Sequence, residues 1–145
     1  MADRNVRVVD CCGKKPHIDS IAKTATTAFD KNSLVEYASG VINPSDSTDI
    51  NVKGIILEEV AATDSDYSTT GARKSVQVLD GGEEVEMDYT GGAAVPGVSY
   101  GINSAYNVDI TNVTQKVATC VRVVSGTTSG RAVFTFKTYS GGLSI

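Results

Sequence analysis

The sequence predicts an all-β fold: a small β-barrel or sandwich of about eight to ten short strands with an extended N-terminal arm. Three observations lead there. β-branched residues alternate with polar ones over short stretches, as in Ser75-Val76-Gln77-Val78 and Glu84-Val85-Glu86-Met87. Clusters of Gly, Asp, Asn, Ser and Thr separate these stretches at regular spacing. Across 145 residues there is no Trp, Gly occurs 14 times, and no long helical period runs through the chain. Alternation means one wet face and one buried face, and the glycines supply the turns between them.

Residues 1–32 differ from the rest. Asn5-Val6-Arg7-Val8-Val9 reads as one short strand, and Asp10 to Asp19, with Gly13 and Pro16, as a turn or extended link. Ile21 to Phe29 is ambiguous. Its alanines permit a helix capped by Asp19 or Ser20, whereas Ile21, Thr24, Thr26 and Thr27 favour an extended chain. The segment holds too few large apolar residues for a core of its own. It is therefore assigned as an arm, residues 1–32, that lies on the body, a neighbouring copy or a partner.

The body is assigned to residues 33–145. Leu34 to Ile42 is a strand broken at Gly40, and Asn43 to Ser47 is a loop. Lys53 to Val60 is the next strand, followed by loops at Thr63–Asp66 and Ser68–Gly71. Ser75–Leu79 and Glu83–Met87 flank Asp80-Gly81-Gly82 and read as a hairpin, because those glycines supply positive φ. The glycine-rich stretch 89–101 is either a joint between two sub-modules or a long surface loop. Beyond it, Tyr106–Ile110, Val117–Val123 and Ala132–Lys137 alternate, with Gly126–Gly130 as a turn and Phe134 and Phe136 on one face.

The net charge of −4 hides an asymmetry. Residues 1–31 carry a net +2, residues 36–88 set twelve acids against only Lys53, Arg73 and Lys74 for a net −9, and the remainder carries a net +3. So acidic a middle section repels phosphate backbones, which disfavours a nucleic-acid partner. It is expected to be a solvated outer face. No apolar run is long enough to span a bilayer, so no membrane role is expected. The Met-Ala-Asp-Arg start has no apolar leader, which gives synthesis in a cytoplasm as the expectation.

Chemistry-bearing constellations are sparse. Cys11, Cys12 and Cys120 form no disulfide framework, and their spacing with His17 matches no common zinc pattern. They are expected to be reduced thiols, with no metal and no cofactor assigned. His17 is the one histidine, so any Ser-His-Asp or Cys-His mechanism would have to use it. Glu58-Glu59 and the Glu83, Glu84, Glu86, Asp88 group could contain a glycosidase pair, but no Trp is present to line a sugar cleft. The Asp46–Asp49 and Asp64–Asp66 loops offer weak calcium chemistry without the remainder of an EF-hand loop. No enzyme is expected.

Three stretches carry a resemblance. They are Tyr37-Ala38-Ser39-Gly40-Val41-Ile42, the Gly-aliphatic then acidic run Val52 to Val60, and the stretch Val76 to Val85 around Asp80-Gly81-Gly82. From Leu34 to Lys137 the chain resembles the capsid decoration proteins of tailed bacteriophages, also called head-stabilising or cement proteins. The resemblance implies a small β-rich subunit, often a homotrimer, bound to the major capsid protein on the outer surface of an icosahedral shell, with no catalysis and no cofactor. It implies a virion location. Under it, Arg4, Val6, Arg7, Val8, Val9, Lys14 and Lys15 of the arm are the candidate capsid-binding residues. The alternatives are another phage structural part, such as a head-fibre base, tail-tube or minor spike module, and a carbohydrate-binding module, which the scarcity of aromatics disfavours.

Overall fold

The computed structural model describes residues 3–11 and 13–139; Cys12 and the 140–145 part of the assigned body lie outside the described residues. The fold is all-β, with eleven strands in two sheets arranged as a small sandwich. The strands are β1 (Arg7–Asp10), β2 (Ile18–Ala22), β3 (Ser33–Ala38), β4 (Val41–Pro44), β5 (Gly54–Ile56) and β6 (Arg73–Val78). They continue with β7 (Glu84–Thr90), β8 (Ser99–Ser104), β9 (Asn107–Asp109), β10 (Ala118–Ser125) and β11 (Gly130–Phe136).

The smaller sheet has the order β2-β6-β5-β3-β4, all antiparallel. A parallel bridge from Lys23 to Ile42 draws its two ends together. The larger sheet has the order β1-β7-β11-β10-β8-β9 and closes through a parallel β7–β9 pairing, Asp88 opposite Asn107. Curling of this kind leaves few bare edges.

Each sheet has its own core. Val85, Met87, Tyr89, Tyr100, Ile102, Val108, Ala132, Phe134 and Phe136 fill the larger one. Phe134 and Phe136 do share a face, with ring centroids 6.4 Å apart. Ile21, Phe29, Val35, Ile42, Ile56, Val60, Val76 and Val78 fill the smaller. β5 and the first half of β3 are buried on both faces, with Leu34 and Ile55 packing into the larger cluster and Val35 and Ile56 into the smaller. That is why these stretches read as unbroken apolar runs instead of alternating ones. Each such side chain contributes about 1.5–3 kcal/mol by burial.

Local chemistry fixes the joints. Ser39 (φ 52°) and Gly40 (φ 81°) form a two-residue turn between Ala38 and Val41, so the stretch expected as one broken strand is a hairpin, β3–β4. Positive φ at both central positions matches the twist of the strands it joins. Gly54 is needed for close approach, because a Cβ there would strike the Gln77 carbonyl across the β5–β6 pair.

Several expectations need correcting. β6 and β7 are not a hairpin: β6 belongs to the smaller sheet and β7 to the larger. The Asp80-Gly81-Gly82 link carries the chain between sheets, held by Glu83, whose carboxylate accepts the N–H groups of Asp80 (2.9 Å) and Gly81 (2.8 Å). The passage between the two halves thus lies at 80–83. The 89–101 stretch holds the end of β7, a loop and the start of β8 within a single sheet. Among the described residues Ile21–Phe29 contains no helix. The segment assigned as an arm supplies a strand to each sheet: β1 pairs with β7, and β2 pairs with β6. Its apolar residues are few, but Val6, Ile21 and Phe29 are all buried.

Candidate functional site

The seven residues expected to bind a capsid fall into different environments. Val6 is 1 % exposed and belongs to the larger core, so it is not a contact residue. Val8 is half-buried against the same core. Arg4 is engaged internally: its Nε donates to Asp30 Oδ2 at 2.7 Å, and its guanidinium lies 3.7 Å from the Tyr106 ring centroid. Arg7 is exposed on β1 and pairs with Glu86 at 3.3 Å. Val9, Lys14 and Lys15 are exposed. The structure therefore brings Arg7, Val9, Lys14 and Lys15 to the surface along one edge strand and the turn after it, and withdraws the other three.

An open cleft of about 240 Å³ adjoins this edge, lined by Asn5, Arg7, Glu86 and Arg131. Its central cation is already occupied. Arg131 donates to Glu86 and Asp88 carboxylates, each at 2.9 Å, and to the carbonyl oxygens of Asn5 (2.7 Å) and Glu86 (3.2 Å). The Arg131 hydrogen bond, with Arg7 beside it, holds the Glu86 carboxyl below its ordinary range. Arg131 therefore clamps the chain entering β1 onto β7 and is not poised for an external anion.

The acidic face of β7 points outward as alternation requires, but it is neutralised: Glu84 meets Arg122 at 2.8 Å, and Glu86 and Asp88 meet Arg131. Two of the other carboxylates considered for acid–base work are bound to backbone, Glu58 to the Ser75 N–H and Glu83 to the inter-sheet link. His17 Nδ1 lies 2.9 Å from Asp80 Oδ2. Cys120 is buried, and burial pushes its thiol pKa up, away from the reactive thiolate.

One constellation escaped the sequence reading. Glu36 on β3, with Asp46 and Asp49 in the turn after β4, brings three carboxylate oxygens within 4.8 Å of one another. Asp49 is 6 % exposed, and its Oδ2 accepts the Asp46 N–H at 3.1 Å. A hydrogen bond to Asp49, then burial, then the charges of Asp49 and Asp46 push the Glu36 carboxyl up to about 8. Tyr139 is raised too, chiefly by burial and in part by Glu36 and Asp49. The Asp46–Asp49 loop is visible in the sequence. Glu36 joins it only through the β3–β4 register, which sets Glu36 opposite Asn43.

Folded Glu36 keeps its proton to about 8, whereas the unfolded side chain releases it near 4.5. The native state then binds more protons in that window, so this group's stabilising contribution falls as pH rises through it. Glu36→Gln is expected to flatten that fall and raise Tm by about 3–8 °C at the alkaline end. Urea midpoints across the window, in buffer free of divalent cations, check this; parallel pH profiles for the two proteins would refute it.

No family model matches the chain, and no curated protein or solved structure matches it either.

Proposed function

We propose that this chain is a structural virion protein that binds the outer surface of an icosahedral phage capsid, through the major capsid protein, and stabilises it as a homotrimer. The observation that carries the reading is the β1 edge. β1 ends the order of the larger sheet, with Arg7, Val9, Lys14 and Lys15 exposed along it and the turn beyond. An open edge accepts an added strand from a partner, with backbone hydrogen bonds giving affinity and flanking side chains giving selectivity. The all-β body and the resemblance of its strand-and-turn rhythm to cement proteins support the class. For self-association the best-supported surface is the far end of β10. β8 pairs with β10 only at Ala118 and Thr119, and Val123 and Val124 beyond them are 38 % and 51 % exposed. Many copies on one lattice make weak contacts count through avidity.

The test is incubation of the purified protein with undecorated capsids, followed by imaging and thermal rupture. A ligand that binds only the assembled lattice stabilises it by mass action. Decorated particles are expected to release DNA at a higher temperature than bare ones. Lys14→Glu with Lys15→Glu is expected to weaken attachment about tenfold at low salt and less at high salt. Equal rupture temperatures for decorated and bare particles would end the cement reading.

A further inference from the structure

We propose that Glu36, Asp46 and Asp49, joined by the Ser45 hydroxyl, form a binding site for a hard divalent cation of the calcium type. The proposal is independent of the capsid reading. Three carboxylates converge here, and among the described residues no Lys, Arg or His pairs with any of them. Some other acids do have a cationic partner: Asp30 has Arg4, Asp66 has Lys74, Asp80 has His17 and Glu84 has Arg122. A buried or half-buried carboxylate group without a cation is costly, and either a proton or a metal must cancel its charge.

Ser45 is the second, independent observation. It is 4 % exposed, and its Oγ has no hydrogen-bond partner. Buried hydroxyls are normally satisfied. The Ser45 N–H donates to the Leu34 carbonyl, extending the β3–β4 ladder by one pair beyond Val35–Pro44. Leu34 and Glu36 share a face, so the register sets Ser45 on the face that carries Glu36, next in the chain to Asp46. Among the described residues the other buried orphan hydroxyl is Thr138 Oγ1. Thr138 precedes Tyr139, whose phenol feels the charges of Glu36 and Asp49.

The donor set chooses the ion. All donors are oxygen, which excludes a preference for soft metals. Three carboxylates, a hydroxyl and water supply the six to eight oxygens calcium takes, with the irregular geometry it tolerates, whereas magnesium demands a near-ideal octahedron. The turn's own bonds leave carboxylate oxygens over: Asp49 Oδ2 holds the Asp46 N–H, and Asp46 Oδ1 holds the Thr48 N–H at 2.9 Å.

The experiment uses the full chain with calcium, magnesium and terbium as probes. Calcium at about 1 mM is expected to raise Tm by about 3–6 °C over chelator, and magnesium by less. Terbium emission excited through tyrosine is expected, because Tyr139 adjoins the cluster, and calcium should compete it away. Glu36→Gln and Asp49→Asn are expected to lose affinity at least tenfold while melting in chelator no lower than the parent, since each removes repulsion. Ser45→Ala is expected to weaken binding about threefold, and Asp64→Asn, in another acidic loop, to leave it intact. A parent protein whose Tm ignores calcium, or a calcium shift that survives in both Glu36→Gln and Asp49→Asn, overturns the site. Unchanged affinity in Ser45→Ala overturns it as drawn.

Discussion

A chain lacking residues 2–28 is expected not to fold. The deletion removes β1 and β2, stripping β7 and β6 of a neighbour each. It removes Val6 from the larger core and Ile21 from the smaller, at about 1.5–3 kcal/mol each. It also takes away the Arg4–Asp30 pair, the Asn5 carbonyl that Arg131 binds, and the Lys23 contacts to the 67–72 loop. The combined loss is of the order of the entire stability of a domain this size, about 5–15 kcal/mol. Far-UV circular dichroism and urea titration check the point: the expected product has no cooperative transition. A truncated chain that keeps native β signal and melts cooperatively would restore the separable arm. The same reasoning decides how capsid attachment should be probed. Truncation confounds binding with unfolding, whereas Lys14 and Lys15 can be changed on an intact surface.

The strands were largely legible, and their partners were not. Period-two alternation located β6, β7 and β11 because each has one wet face. It could not say whether β6 and β7 pair with each other, since a tight hairpin and a passage between sheets place the same glycines between the same patterns. Glu83 decides that question by bonding the link's own N–H groups, and its role depends on geometry that composition does not encode. The N-terminal segment misled for a related reason. Its shortage of large apolar residues argued against a core of its own, correctly, but a strand needs only one good residue per face when a neighbour supplies the ladder. Val6, just before β1, and Ile21 on β2 supply that burial. The carboxylate cluster was half legible. Asp46 and Asp49 are close in sequence, but Glu36 reaches them only if Ser39-Gly40 is recognised as a two-residue turn, and the run from Leu34 to Ile42 reads equally well as one strand.

Lys23 is the sharpest instance, and its replacement is expected to be costly. In the sequence it counts towards the positive charge of the N-terminal segment. In the fold it is 0 % exposed. Its Nζ donates to the carbonyl oxygens of Tyr67 (3.0 Å), Thr69 (3.2 Å) and Thr24 (3.3 Å), while its backbone pairs with Ala72 and Gly71. One side chain therefore satisfies three acceptors and ties the long loop between β5 and β6 to the end of β2. Asp66 on that loop adds attraction, its carboxyl held below the ordinary range mainly by Lys74 and slightly by Lys23. Removing a partner from buried acceptors costs about 1–3 kcal/mol for each group left dry, less where water can enter. Lys23→Ala is expected to lose about 3–5 kcal/mol, since it also vacates the stem's volume. Lys23→Met keeps the stem and should lose about 2 kcal/mol, the share owed to the ammonium. Urea midpoints give both values, and proteolysis of the 61–72 loop should quicken in step with them. Equal stability of Lys23→Met and the parent would mean that burying the ammonium costs as much as its three bonds return, and that the loop is held by its backbone pairing alone.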